Sequence, residues 1–192
     1  MKNFKYKFSI SQYKLLLNYF IKLRLNFKKF DDDLTKGQNL IMRHDIDFCP
    51  LRALEIAKIE YNFKIPATYF FLINTDFYNL NTLRNKNIIS EMIKMNHEIG
   101  LHFDAALFKD QKSMNINCKE EIDNLENITL RKVKIVSFHR QAKKILMYNK
   151  KIANIDHTYM SKFTKKIDYC SDSQGIWRFK NPKEIIKEKK NQ

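Results

Sequence analysis

Four strand-sized apolar runs recur along this chain with helix-length segments between them. They are Leu40–His44, Ala67–Ile73, Glu98–Phe103 and Lys134–Phe138. The second, Ala67-Thr68-Tyr69-Phe70-Phe71-Leu72-Ile73, is almost continuously apolar, as a strand buried on both faces has to be. Between the runs, Leu51–Tyr61 carries an apolar face at Leu54, Ala57 and Tyr61. Thr82–Met95 carries one at Leu83, Ile88, Ile89, Met92 and Met95, and Cys118–Leu130 one at Ile122, Leu125 and Ile128. Crossovers of this length join parallel strands, so the pattern predicts a doubly wound sheet or a (β/α) barrel. With only 3 Gly and 3 Pro, a turn-dense all-β sandwich is excluded.

The flanks are less regular. Ser11–Lys28 predicts a helix behind an N-cap at Ser9 or Ser11, and Asp31-Asp32-Asp33 with Lys36-Gly37 marks a loop. Pro50 is placed to open a helix. Ile167–Ser171 predicts one more strand, and Pro182–Gln192 a charged tail, helical or frayed. The expected division is a helical extension over 1–38, an α/β barrel domain over 39–180 and a basic tail over 181–192. A chain of 192 residues with 44% hydrophobic content builds one core, not a disordered segment. No apolar run is long enough to span a bilayer. Lys2, Lys5 and Lys7 are followed by no signal-peptide core, so cytoplasmic residence is expected. Cys49, Cys118 and Cys170, odd in number and without CxxC spacing, read as reduced thiols.

The formal charge is +15, from 36 Lys+Arg against 21 Asp+Glu. Such an excess attracts polyanions, including nucleotide-linked sugars and acidic glycans. The basic residues are dispersed and no nucleic-acid motif appears, so they read mainly as solvated helix faces. A nucleic-acid partner is not expected.

Parallel sheets collect chemistry at the carboxyl ends of their strands. Asp45, Asp47, His102, Asp104, His139 and Asp172 fall at such ends on this reading. Asp and neutral His suit Zn²⁺ and other divalent first-row metals. Asp45 and Asp47 are two apart on an extended chain and therefore share a face, so one can ligate while the other serves as base. Each residue also has a plainer use. Asp47 precedes Pro50 as a helix cap does, and Asp104 reads as a cap too. His97 reads as a structural group bonding a loop, and His102 as a satisfied core histidine. His139 fits an exposed strand exit, and His157 has no supporting context and reads as surface.

The run His44-Asp45-Ile46-Asp47, then Ile65-Pro66-Ala67-Thr68-Tyr69-Phe70, then His97-Glu98-Ile99-Gly100-Leu101-His102 resembles the polysaccharide deacetylase family, carbohydrate esterase family 4. It looks closest to the branch associated with surface-polysaccharide biosynthesis. Fainter agreement follows at Ser137-Phe138-His139-Arg140 and over 171–178. The resemblance implies a distorted or incomplete (β/α) barrel, one divalent metal with zinc first among candidates, and removal of an N- or O-acetyl group from a sugar. Carried across, Asp45 is the general base, Asp47 the metal-binding aspartate, His102 the first metal-binding histidine, and Asp172 an acid near the base.

The chain departs from the family pattern in four places. Ile46 separates aspartates that are usually adjacent, so the roles of Asp45 and Asp47 are exchangeable. Ala106 stands where a second ligating histidine is expected. Phe138-His139-Arg140-Gln141 replaces the arginine-proline segment that braces the base, leaving His139 as third ligand or general acid. No histidine follows His157, where family members carry a catalytic one on a late strand. An incomplete barrel leaves a sheet edge open to homo-oligomerisation. The expected partner is an acetylated sugar, nucleotide-sugar or glycan precursor. The alternative is a non-catalytic, truncated relative that binds glycan or a protein partner.

Overall fold

The computed structural model describes residues 8–140, 149–165, 167–173, 176–177 and 181–190. Lys2, Lys5, Lys7, Gln141, Gln174, Gly175 and Arg178, which entered the reading above, lie outside the described residues. In chain order the elements are helix α1 (Ile10–Lys22), strands β1 (Asn26–Lys28), β2 (Asn39–Ile41) and β3 (Arg43–Ile46), and helix α2 (Pro50–Asn62). Next come β4 (Thr68–Phe71), α3 (Leu83–Lys94), β5 (Glu98–Phe103), α4 (Gln111–Thr129) and β6 (Ile135–Phe138). The last are β7 (Asp156–His157), the short α5 (Ser161–Thr164), β8 (Asp172–Ser173), β9 (Ile176–Trp177) and α6 (Pro182–Lys190).

Five strands form one parallel sheet in the order β3-β4-β5-β6-β7. Among the described residues the sheet does not close on itself, so the architecture is an incomplete (β/α) barrel, with β3 and β7 as the edges of the described sheet. The parallel pair β1-β2 and the antiparallel hairpin β8-β9 stand apart from it. No helix among the described residues is long and apolar enough to cross a membrane.

Side-chain alternation sorts the strands into two faces. Tyr69, Phe71, Ile99, Leu101, Phe103, Val136 and Phe138 join Leu54 and Ala57 of α2, Ile89 and Met92 of α3, and Cys118 and Leu125 of α4 in the main core. This is the outer face, sealed by helices. On the inner face Phe70 and Ile135 pack with Phe163 of α5, and Phe30 lies edge-on against both Phe70 and Phe163. Gly100 makes that inner packing fit. A Cβ there would sit 2.6 Å from the Phe70 ring and 3.0 Å from the Ile135 carbonyl, so only glycine lets the ring cross β5.

The structure moves several expected boundaries. The first helix stops at Lys22, not Lys28, because Arg24 turns left-handed and the chain enters β1. Helix α4 begins well before Cys118, at Gln111, where Asp110 accepts from the Ser113 amide as N-cap. No strand forms over 167–171; the short strands there are β8 and β9. His157 is not on the surface. It is buried on β7, its Nε2 3.1 Å from the Lys150 carbonyl and its ring against Phe138. On α2 the inward position is Glu60, while Tyr61 is 53% exposed.

The low glycine content has a backbone consequence. Helices α1 to α4 are each followed by a non-glycine residue in the left-handed region: Arg24, Lys64, Asn96 and Leu130. Asn tolerates this conformation, but for the others it costs on the order of 1–2 kcal/mol.

Candidate metal centre

The inner face of the sheet is apolar at the level of Phe70 and Ile135 and polar toward the carboxyl ends of its strands. Arg43, Asp45 and Asp47 alternate with outward-facing His44 and Ile46 along and just beyond β3. Gly100 and His102 take the inner positions of β5, and Ser137 and His139 those of β6 and its exit. The ladder continues to that exit, since the His139 amide donates to the Phe103 carbonyl at 2.9 Å.

Three of these side chains converge. His102 Nε2 lies 3.3 Å from Asp47 Oδ1, His139 Nδ1 lies 3.2 Å from the same oxygen, and the two ring nitrogens are 3.3 Å apart. Four ligands arranged tetrahedrally at about 2.0–2.1 Å from Zn²⁺ are separated by about 3.3–3.4 Å. The edges of the triangle thus have the length that such a centre requires. Asp47, His102 and His139 form a group able to hold a metal ion among the described residues. Asp47 Oδ1 is buried and has no hydrogen-bond partner among the described residues, so the acceptor at the apex is left for another electrophile. Burial by itself would raise the Asp47 carboxyl, but His102 and His139 outweigh it and hold it below its ordinary value. The donor set of one carboxylate and two imidazoles therefore fits a divalent ion. His102 Nδ1 lacks a hydrogen-bond partner among the described residues, so the polar contacts that orient this ring are those of its Nε2.

One level deeper, Asp45 faces a second constellation. Arg43 Nη2 donates to Asp45 Oδ2 at 2.5 Å and to Ser137 Oγ at 2.7 Å, and Ser137 Oγ is 3.4 Å from the same Asp45 oxygen. The Arg43 guanidinium lies 5.4 Å from the Phe70 ring centre and 5.9 Å from that of Tyr159, between two aromatic faces. Burial opposes its charge, and Asp45 more than restores it. Neither Arg43 nor Ser137 was singled out from sequence. The signal was present for Arg43: it stands two residues before Asp45 on an extended strand, hence on the same face.

The remaining expected site residues lie elsewhere. Asp104 does not cap through its side chain; Arg140 Nε and Nη2 both donate to its Oδ2. Asp172 sits on the β8-β9 hairpin, where its charge acts on His44 and Tyr13. The side-chain partners of Asp45 among the described residues are Arg43 and Ser137. His97 is buried, its Nε2 3.0 Å from the Ala57 carbonyl and its Nδ1 accepting from the Ala67 amide, in keeping with a structural role.

No protein-family model matches the chain, and no curated protein matches it. Solved structures do. The deacetylase PplD of Streptococcus pyogenes, determined in complex with acetate, superposes with a TM-score of 0.54 at 11% identity, over 65% of this chain and 60% of that one. IcaB from Ammonifex degensii gives a TM-score of 0.54 at 14% identity, over 72% and 69%. The chain therefore has a polysaccharide-deacetylase-like fold, and it spans only 60% of the length of PplD.

Proposed function

We propose that this chain is a metal-dependent, deacetylase-like hydrolase that removes an N- or O-acetyl group from a sugar or a surface-glycan precursor. The observation that carries the reading is the triangle of Asp47 Oδ1, His102 Nε2 and His139 Nδ1, with edges of 3.2–3.3 Å at the carboxyl end of the sheet. Those three residues would hold the ion, which supplies an electrophile for the acetyl carbonyl and a water acidified toward neutrality. Zinc is the first candidate, since borderline N and O donors suit it.

Asp45 is the general base. Arg43 and Ser137 fix its Oδ2, leaving Oδ1 to take the proton of the attacking water. As the carbon–nitrogen or carbon–oxygen bond breaks, the same carboxyl returns that proton to the departing atom. The products are acetate and the free amine or hydroxyl. His139 cannot serve as the acid while its Nδ1 points into the triangle, so it is assigned as third ligand. Arg43 is a positioning residue, acting through Asp45.

One observation favours a second reading, a non-catalytic relative that binds glycan. The chain has 5 His, and all are engaged: His44, His97 and His157 on the outer face, His102 and His139 in the triangle. No imidazole remains to protonate a leaving group. The test is acetate release from acetylated aminosugars with zinc supplied, wild type beside Asp45→Asn. Release by the wild type and a loss on the order of 10²–10⁴ in the variant support catalysis. A wild type that binds metal and releases no acetate establishes the second reading.

A further inference from the structure

The rim of the centre carries an apolar feature that the chemistry above does not use. Phe48 follows Asp47 directly and is 63% exposed; Phe77, in the loop after β4, is also 63% exposed. Their ring centroids are 4.6 Å apart with planes at 75°, an edge-to-face pair. The loop bearing Phe77 is held against the end of β3. The Tyr78 hydroxyl donates to the Ile46 carbonyl at 2.6 Å and accepts from the Leu72 amide at 2.9 Å. The pair is thus fixed beside a metal-binding aspartate and still open to solvent.

The same loop borders an open groove of about 550 Å³ whose lining includes Asn74, Thr75, Asp76 and Asn79. A polar groove on the loop that bears Phe77, together with an exposed aromatic pair, matches the two surfaces that a pyranose presents: an edge of hydroxyls and a ring face of C–H bonds. An acyl chain has no use for the amide, hydroxyl and carboxylate side, and a flat aromatic ligand none for the perpendicular rings.

The geometry points to Phe48 and Phe77 as a stacking platform for a sugar ring of the substrate, with the groove at Asn74, Thr75, Asp76 and Asn79 taking its hydroxyls. This rests on the deacetylase reading for its choice of a sugar, and it places the ring against the residue that follows the metal-binding Asp47. The two phenylalanines are specificity residues and take no part in the bond-breaking step.

The experiment measures binding without turnover. A β-linked N-acetylglucosamine tetramer is titrated by calorimetry into zinc-loaded Asp45→Asn protein, and into the same protein carrying Phe48→Ala, Phe77→Ala or Phe48→Tyr. Each alanine should weaken binding about 3–10-fold, the range an aromatic contact supplies, and Phe48→Tyr should retain it. Metal content and melting temperature should stay at the parent's values, since both rings are mostly exposed. Alanine variants that keep the parent's affinity within twofold overturn the platform. So does a parent protein that binds hexanoate through these rings but not the tetramer, which would make the occupant an acyl chain. A wild type that shows the phenylalanine dependence yet releases no acetate refutes the deacetylase reading and leaves the platform standing.

Discussion

The sheet carries a carboxylate with two histidines on each of its faces, and only one of the two clusters resembles a reactive centre. On the outer face Glu60 is fully buried. His44 Nε2 lies 2.7 Å from its Oε1, the Tyr13 and Tyr69 hydroxyls donate to its two oxygens, and His97 Nδ1 is 3.9 Å away. On the inner face the Asp47 side chain is 34% exposed, and its Oδ1 faces two imidazole nitrogens without a hydrogen bond. Similar residue types thus give opposite outcomes. A carboxylate supplied with donors from every side is a structural joint; one whose neighbours are two imidazole nitrogens at the spacing of metal ligands is prepared for a cation. What differs is the number of hydroxyl donors bonded to the carboxylate, two tyrosines at Glu60 and none at Asp47 Oδ1 among the described residues.

The largest effects should come from exchanging the roles of the two clusters. Asp47→Ala, His102→Ala and His139→Ala should each lower zinc affinity by more than about 100-fold, with little change in melting. Elemental analysis of identically prepared proteins reads the first quantity. Glu60→Gln should do the reverse, retaining about one zinc per chain while costing about 3–5 kcal/mol in urea unfolding, because half-buried His44 and the Tyr69 hydroxyl lose the carboxylate that they share in the core. If Glu60→Gln also loses the metal, the clusters are coupled through β3 and the contrast drawn here fails.

The pH dependence of stability separates them further. Burial alone would lower His44, but Glu60 reverses this and holds its pKa above 6.5. His44 therefore contributes stability in full below 6.5 and loses it as pH rises through the raised value. Burial alone would raise Glu60, but His44 and the tyrosines hold it below 4.5. Its contribution is present above 4.5 and lost as pH falls through the lowered value. His97, kept neutral by burial, adds a decline as pH falls from 6.5. Wild-type stability should weaken as pH rises above 6.5, through His44, and as pH falls, from 6.5 through His97 and below 4.5 through Glu60. Glu60→Gln should flatten both flanks, as chemical denaturation across pH would show.

Smaller effects test the scaffold that keeps the faces distinct. Gly100→Ala should destabilise by about 1–3 kcal/mol, because the Phe70 ring cannot move away from a new methyl group. Leu130→Gly should stabilise by about 1 kcal/mol, since Leu130 is 86% exposed and held at φ 54. It should leave metal binding untouched, which makes it a control that shifts stability alone.

Much of this was legible in the chain. β5 spans the expected Glu98–Phe103, and helices α2 and α3 start where Pro50 and Thr82 direct. The convergence of Asp47, His102 and His139 was legible because metal-competent residues at strand ends are few and alternation fixes their side. Glu60 was not, for a physical reason. An acid inside a helical apolar stripe reads as solvent-facing, and the partners that make its burial tolerable come from β3, β4 and α1, remote in sequence. Tyr61 took its place in the expected face because hydrophobicity registers and hydrogen-bond supply does not. His157 was missed similarly, since β7 has only two residues and no periodicity to read.

The alternation along Arg43–Asp47 also behaves as a reading frame. Odd positions spell chemistry toward the inner face, and His44 and Ile46 spell adhesion toward the helices. Deleting one residue ahead of His44, with the pairing to β4 held, would change no composition worth noting, yet it would present His44 to the centre and drive two aspartates against apolar helices. Length changes in this segment are therefore tolerable only in pairs, and a drifting lineage could lose the site by a single-codon deletion with every ligand still encoded.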